Sequence, residues 1–323
     1  MIAYAFGRIL QTLLVLLVIS FIAFLLVATL GDPLGLLLPP EASLAERQEL
    51  IMRLGLNEPL PSRFLHFLAG MLQGDFGLSY RTQEGVGAMI AARLPATIEL
   101  AFASLLVTLA IGVPLGILCG VRPSSPLAKS VMLVSIAGIT LPNFVVGVLL
   151  IAVFSVQLGW FPSFGRGETV ELGGWTTGLL TLSGWQAIIL PAITLAAFQV
   201  TFVIRMLRTQ LLEVGQSEHI RFARARGLSE RQVWLSYAMR NALLPTITML
   251  ALQLGNVIAF SVVTEGVFAW PGLGSLFLQS VQSADIPVIA IYLIFVGAVF
   301  MIINLAVELS YPLLDPRLRR GRA

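Results

Sequence analysis

Residues 9–31 read ILQTLLVLLVISFIAFLLVATLG, 23 consecutive positions without a charge between Arg8 and Asp32. Crossing about 30 Å of hydrocarbon takes roughly 20 helical residues, so the run is long enough to span a bilayer. It is apolar throughout rather than alternating, which argues against a barrel strand. It also exceeds the roughly 7–15-residue core of a signal peptide, and VATLGD is a poor cleavage site. A retained first span over about Leu10–Leu30 is expected.

The pattern recurs along the chain. Uncharged runs cover 100–121, 130–158 (with Pro142 inside it), 185–204, 241–264 and 286–307. Over all 323 residues, 57% are hydrophobic and 11% charged, with mean hydropathy +0.90. That is well above the roughly half-apolar usage of soluble domains. The expectation is an all-α integral membrane protein with six transmembrane helices. A more polar segment, 31–95, separates the first two spans. In it, Ser43 is well placed to cap a helix through SLAERQELIMRLGL.

The charges report orientation and exclude some partners. Of 20 cations 19 are arginine, scattered between spans rather than gathered on one face, so no nucleic-acid partner is expected. With the N-terminus inside, fourteen cations fall on inner segments and six on outer ones, five of those six in the long 31–95 segment. Long loops are discounted in such a census, so both termini are expected to be cytoplasmic. Cys119 is the only cysteine, which leaves no intramolecular disulfide framework.

Catalytic signatures are missing. The single lysine, Lys129, precedes Ser130 but follows Ala128 with no glycine loop, so a phosphate-cradling P-loop is absent. His66 and His219 are far apart and lack zinc-peptidase spacing. No G-x-S-x-G elbow occurs. The chain is therefore not expected to be an enzyme, to hold a metal or to bind a cofactor. Ion coupling needs acids within the membrane. Glu99, Glu265 and Glu308 lie near span ends, where solvation at the interface is expected instead.

One inner segment stands out. RFARARGLSERQVW, residues 221–234, carries four arginines between two apolar runs. Gly227 suits the left-handed residue that closes a helix, and Ser229 to Gln232 fits a capping box. A short helix ending at Gly227 and another starting at Ser229 and running toward Pro245 are expected. Two readings stay open on these residues: a docking element for a partner that supplies energy, or an interfacial helix held by anionic lipid.

The longer stretch HIRFARARGLSERQVWLSYAMRNALLPTIT resembles the cytoplasmic loop of ABC-importer permeases of the dipeptide, oligopeptide and nickel group. GDPLG, LGLNEPL, GDFGLSY, LPATIELA, RMLRTQLLEV, TEGVFAWPGLG and YPLLDPRLR resemble the same group in order along nearly the whole chain. The resemblance implies the type I ABC-importer permease fold. It implies a coupling loop within 208–240 that docks on a cytosolic ATPase, with Arg221, Ala223, Arg224, Gly227, Leu228 and Ser229 at the contact. Where the general pattern opens Glu-Ala-Ala, Arg221, Phe222 and Ala223 stand here, and Leu244-Pro245 comes later than in that pattern.

Further implications follow from the same resemblance. The organisation would be an N-terminal span and external segment over 1–95, a permease core over 96–315 and a basic tail over 316–323. Partners would be a second homologous permease subunit, two ATP-binding subunits or domains carrying ATP and Mg, an extracytoplasmic substrate-binding protein and the lipid of a bacterial inner membrane. The substrate would be a peptide, with an ion-gradient-driven secondary transporter as the alternative function. Glu265, Phe268, Trp270 and Pro271 would lie on the binding-protein side, as an external gate or contact; for Phe268, Trp270 and Pro271 an anchor at the bilayer edge, where aromatics collect, is the weightier expectation.

Overall fold

The computed structural model describes residues 2–30, 34, 43–53 and 57–314. Among the described residues, four helical stretches are long and apolar enough to cross a membrane: Phe6–Leu30, Val86–Val121, Leu182–Gly215 and Ile286–Leu309. The chain divides into two compact units, one of 1–95 with 272–305 and one of 96–271 with 306–323. The expected basic tail 316–323 and most of GDPLG lie outside the described residues.

In the first unit, helix α1 (Ile2–Leu30) turns most of its side chains outward, with Leu13, Leu14 and Leu17 all exposed. An exposed apolar face of this kind suits lipid rather than water. Helix α2 (Leu44–Arg53) begins with the expected cap: the Glu46 amide donates to Ser43 Oγ at 3.3 Å and the Ser43 amide to Glu46 Oε2 at 2.8 Å. Helix α3 (Leu60–Leu72) packs on α1 through Phe64 and Phe67 against Phe24. The start of the last span is tied back to this unit. Asp285 accepts from Ser79 Oγ at 2.5 Å and from the Tyr80 amide at 3.1 Å.

The second span begins in α4 (Val86–Val107), passes a π turn at Thr108–Gly112 and continues as α5 (Val113–Val121). Pro114 explains the wide turn, since it has no N–H for the carbonyl four residues back and its ring crowds that carbonyl. Gly112, Gly116 and Gly120 form one face of α5 and the turn before it. A Cβ there would meet Val203 Cβ at 3.2 Å, Leu207 Cβ at 3.1 Å and Leu211 Cβ at 2.6 Å. These glycines permit close helix packing, as small residues at four-residue spacing do in membranes.

Their partner is the central helix of this unit, α8 (Leu182–Gly215). At 34 residues it is about 51 Å long, more than the bilayer core requires. The third apolar run is broken rather than one continuous helix. It forms α6 (Pro126–Thr140) and α7 (Asn143–Leu150), the latter prolonged by a π turn to Gln157. Leu141 and Pro142 break it midway, because a proline biases the residue before it away from helix. Strands β1 (Val170–Leu172) and β2 (Trp175–Thr177) pair antiparallel in the loop before α8.

After α8 come α9 (Glu218–Ala225), α10 (Glu230–Gln232) and α11 (Met239–Val267), the last two joined by a π turn at Val233–Ala238. The helix starting at Ser229 runs toward Pro245 as expected and, past the π turn, continues through that proline to Val267. Helices α12 (Leu273–Gln282) and α13 (Ile286–Leu314) close the described chain.

Candidate functional site

The corner at 216–232 is built as the residues suggest. Helix α9 ends with Arg226 as its C-cap, and the next residue, Gly227, takes φ +77°. Ser229 opens the next helix with both halves of a capping box, its side chain accepting from the Gln232 amide and the Gln232 side chain accepting from the Ser229 amide. Arg224 reaches over the turn to Glu230, with Nε–Oε1 at 2.8 Å and Nη2–Oε2 at 3.3 Å. Those donated hydrogen bonds hold the Glu230 carboxyl below its ordinary 4.5. The same guanidinium lies 5.7 Å from the Trp234 ring centroid.

One face of α9 is anchored. Ile220 and Ala223 are buried in a core with Leu207, Leu211, Val233 and Ala242, so the short helix rides on the ends of α8 and the 230–267 helix. Ala223 therefore presents no side chain outward, and Leu228 packs partly against the same core. Arg221, Arg224, Gly227 and Ser229 remain exposed. The residue that sequence reasoning left out is Phe222. It is 64% exposed on the outer face, with Arg226 over its ring at 5.8 Å. A signal was available: Phe222 lies off the face defined by Ile220 and Ala223, where an amphipathic helix would place a polar residue.

The opposite end of this unit holds a second cluster. Glu265 is fully buried and accepts from Thr97 Oγ1 at 2.8 Å. Phe268 and Trp270 are each 1% exposed, and Trp270 Nε1 donates to the Ala96 carbonyl at 2.9 Å. Pro271 is half-buried. Interfacial solvation of Glu265 and an interfacial seat for Trp270 both give way. The helix end folds back on α4, and the indole and carboxylate find their hydrogen bonds inside the protein.

Glu99 departs from expectation in the same way. It is 4% exposed, and its Oε2 accepts from Arg166 Nη2 at 2.6 Å and Nε at 3.2 Å. Arg166 also donates to Thr176 Oγ1 at 3.1 Å and to the Thr176 carbonyl at 2.6 Å. One guanidinium thus ties the β1–β2 hairpin to the second span. The Gly165 amide adds a bond to the Phe268 carbonyl at 2.9 Å. In the charge census Arg166 is the one outer cation beyond the 31–95 segment, and nothing local marks its partner 67 residues away. No group of three or more potential metal ligands occurs among the described residues.

Comparison with known proteins places this arrangement. Residues 112–320 match the family described as binding-protein-dependent transport system inner membrane component, and residues 1–101 match the N-terminal region of the same membrane components. The oligopeptide transport system permease protein AppB of Bacillus subtilis (strain 168) is 38% identical over 320 residues, covering 98% of this chain and 99% of the relative. The glutathione transport system permease protein GsiC of Escherichia coli (strain K12) is 36% identical over 320 residues, covering 99% of each chain. Among solved structures, a chain of the inward-facing MetNI methionine ABC transporter shares the fold with a TM-score of 0.56. It is 20% identical and covers 70% of this chain and 96% of that one. These matches displace the ion-gradient alternative. The chain belongs to the binding-protein-dependent transport system inner membrane component family and is a permease subunit of an ABC importer.

Proposed function

We propose that this chain forms half of the translocation pore of a peptide importer in a bacterial inner membrane. A second homologous permease completes the pore. Two cytosolic ATP-binding subunits supply energy from ATP and Mg, and an extracytoplasmic binding protein delivers substrate. The names of the relatives, oligopeptide and glutathione permeases, support a peptide substrate. The spans are α1, α4 with α5, α6 with α7, α8, the 241–264 stretch of α11 and α13, with both termini cytoplasmic. The turn from Glu265 to Pro271 belongs to an outer gate, where its buried side chains lock the helix end rather than offer a surface.

The observation that carries this reading is the outer face of α9, where Phe222 stands exposed among Arg221, Arg224 and Arg226. A single large apolar side chain ringed by cations is too little to embed a helix in lipid, which needs a broad apolar face. It suits an anchor entering a pocket on a protein partner, with arginines around the rim. The buried side of α9 rests on two long helices, so a push on that face is delivered to both.

Two measurements test the proposal. Reconstituted with its partners, the complex should take up a small peptide only with ATP, and uptake driven by an ion gradient without ATP would refute it. Cys119 is fully buried, so topology is read from a cysteine introduced at exposed Gln232 in a Cys119→Ala background. An impermeant thiol reagent should label it in inverted vesicles and not in intact cells.

A further inference from the structure

Beside the corner, on the side of α5 turned away from α8, lies an open groove of about 640 Å³. Pro114, Leu118 and Val121 share one face of α5 at helical spacing, opposite the glycine face that packs on α8. Trp234 and Leu235, from the π turn at Val233–Ala238, form the facing wall. From Arg122 to Pro114 the groove follows α5 for about 12 Å into the uncharged run 100–121.

The rim of this groove is cationic. Arg122, the C-cap of α5, and Arg231 both line it and are exposed. Neither guanidinium has a hydrogen-bond or ion-pair partner among the described residues. Glu230 is the one acid in the lining, and Arg224 already holds its carboxylate at 2.8 Å. Two positive charges are thus left uncompensated beside an apolar trough. Arg122 is also the first charge after the uncharged run, so it stands where the span leaves hydrocarbon. Half-buried Trp234 suits the same level, since tryptophan collects at bilayer edges.

We infer that the groove binds one anionic phospholipid from the leaflet on the corner's side of the membrane. Its phosphate lies between Arg122 and Arg231, and an acyl chain runs along Leu118 and Pro114 against Leu235. Basic pockets between membrane helices recognise anionic headgroups in this way. A soluble anion would use only the rim and leave the apolar wall bare. A zwitterionic lipid would bring a cation back to the two arginines. The bound lipid braces Trp234, whose ring lies under Arg224 and against Gly215 at the end of α8. The site requires the membrane placement of α5 but not a peptide substrate, so it stands or falls apart from the importer's cargo.

The test titrates phosphatidylglycerol and, separately, phosphatidylcholine into the detergent-solubilised complete transporter and counts bound lipids by native mass spectrometry. The unaltered complex should hold phosphatidylglycerol at a site that phosphatidylcholine does not fill. Arg122→Gln with Arg231→Gln should weaken that site roughly thirtyfold, the effect of two cations near a membrane surface. Lys129→Gln with Arg240→Gln removes equal charge from exposed positions outside the groove and should leave the site unchanged. Leu235→Asp, which sets an anion in the acyl path, should also empty it and serves as the readout if the double arginine variant fails to assemble. No tightly held phosphatidylglycerol, equal binding of the two lipids, equal loss in both double variants or loss in neither would overturn the site. Departure of an ATPase subunit from the Arg122→Gln, Arg231→Gln complex with lipid binding unchanged would also overturn it, and would assign the groove to that partner.

Discussion

Arg224 and Glu230 face each other across Gly227, their fork-to-fork contact closing the corner from the solvent side while Ile220 and Ala223 close it from within. The corner is thus clamped on two sides of one left-handed residue. The outer clamp is titratable. Glu230 has its pKa lowered by Arg224, so its contribution is complete above the ordinary value of 4.5 and is lost as pH falls through the depressed one. Hydrogen exchange at the amides of 226–232, corrected for intrinsic rate, should lose protection below pH 4.5. Both side chains are substantially solvated, so the change should be small, as for surface pairs. Glu230→Gln should abolish this pH dependence; an unchanged profile in that variant would contradict the assignment.

Gly227 gives a cleaner contrast. Nothing lies within 4 Å of a Cβ built there, so substitution strains only the backbone at φ +77°. A left-handed residue with a side chain costs about 1–2 kcal/mol, more when β-branched, whereas asparagine tolerates that region. Gly227→Asn should leave ATP hydrolysis by the complex responsive to loaded binding protein. Gly227→Val should blunt that response at equal membrane abundance. Equal behaviour of the two variants would mean that the turn conformation is not what matters.

Both ends of this corner were legible in sequence because the signals are local. A glycine two residues before Ser-x-x-Gln is read within one helical turn, and the structure shows that geometry. The long apolar runs were legible for the same reason. What escaped are choices made over distance. Arg166 sits in a loop and counts as an outer cation until Glu99 is seen beside it. Trp270 reads as a membrane anchor until its indole is found bonded to Ala96. Gly112, Gly116 and Gly120 carry no local mark of a packing role, and only the facing residues of α8 show them to be a packing stripe. Phe222 was visible but unused, since its exposure depends on which face of α9 the long helices bury.

The Arg166–Glu99 pair makes a stability prediction. Removing one partner of a buried ion pair strands the other, at about 3–5 kcal/mol, while replacing both with apolar residues is often tolerated. Arg166→Met should lower the melting temperature markedly, and Arg166→Met with Glu99→Leu should recover most of the loss. Cys119 supplies the readout, because it is fully buried and a thiol-reactive dye reaches it only on unfolding. A melting temperature unmoved by Arg166→Met would show that the pair does not hold the hairpin.

The central claim is that energy enters through the outward face of α9, and Phe222 tests it most directly. Its side chain is mostly solvent-exposed in this chain, so replacing it should cost the fold little. Phe222→Asp puts a charge where a partner's apolar pocket is expected, and burying an unpaired charge is expensive. The measurement is ATP-driven peptide uptake by the reconstituted complex, with membrane abundance and burial of Cys119 followed in parallel. The account predicts normal abundance, an unreactive Cys119 and uptake reduced to near background. Uptake at the unaltered rate would contradict it.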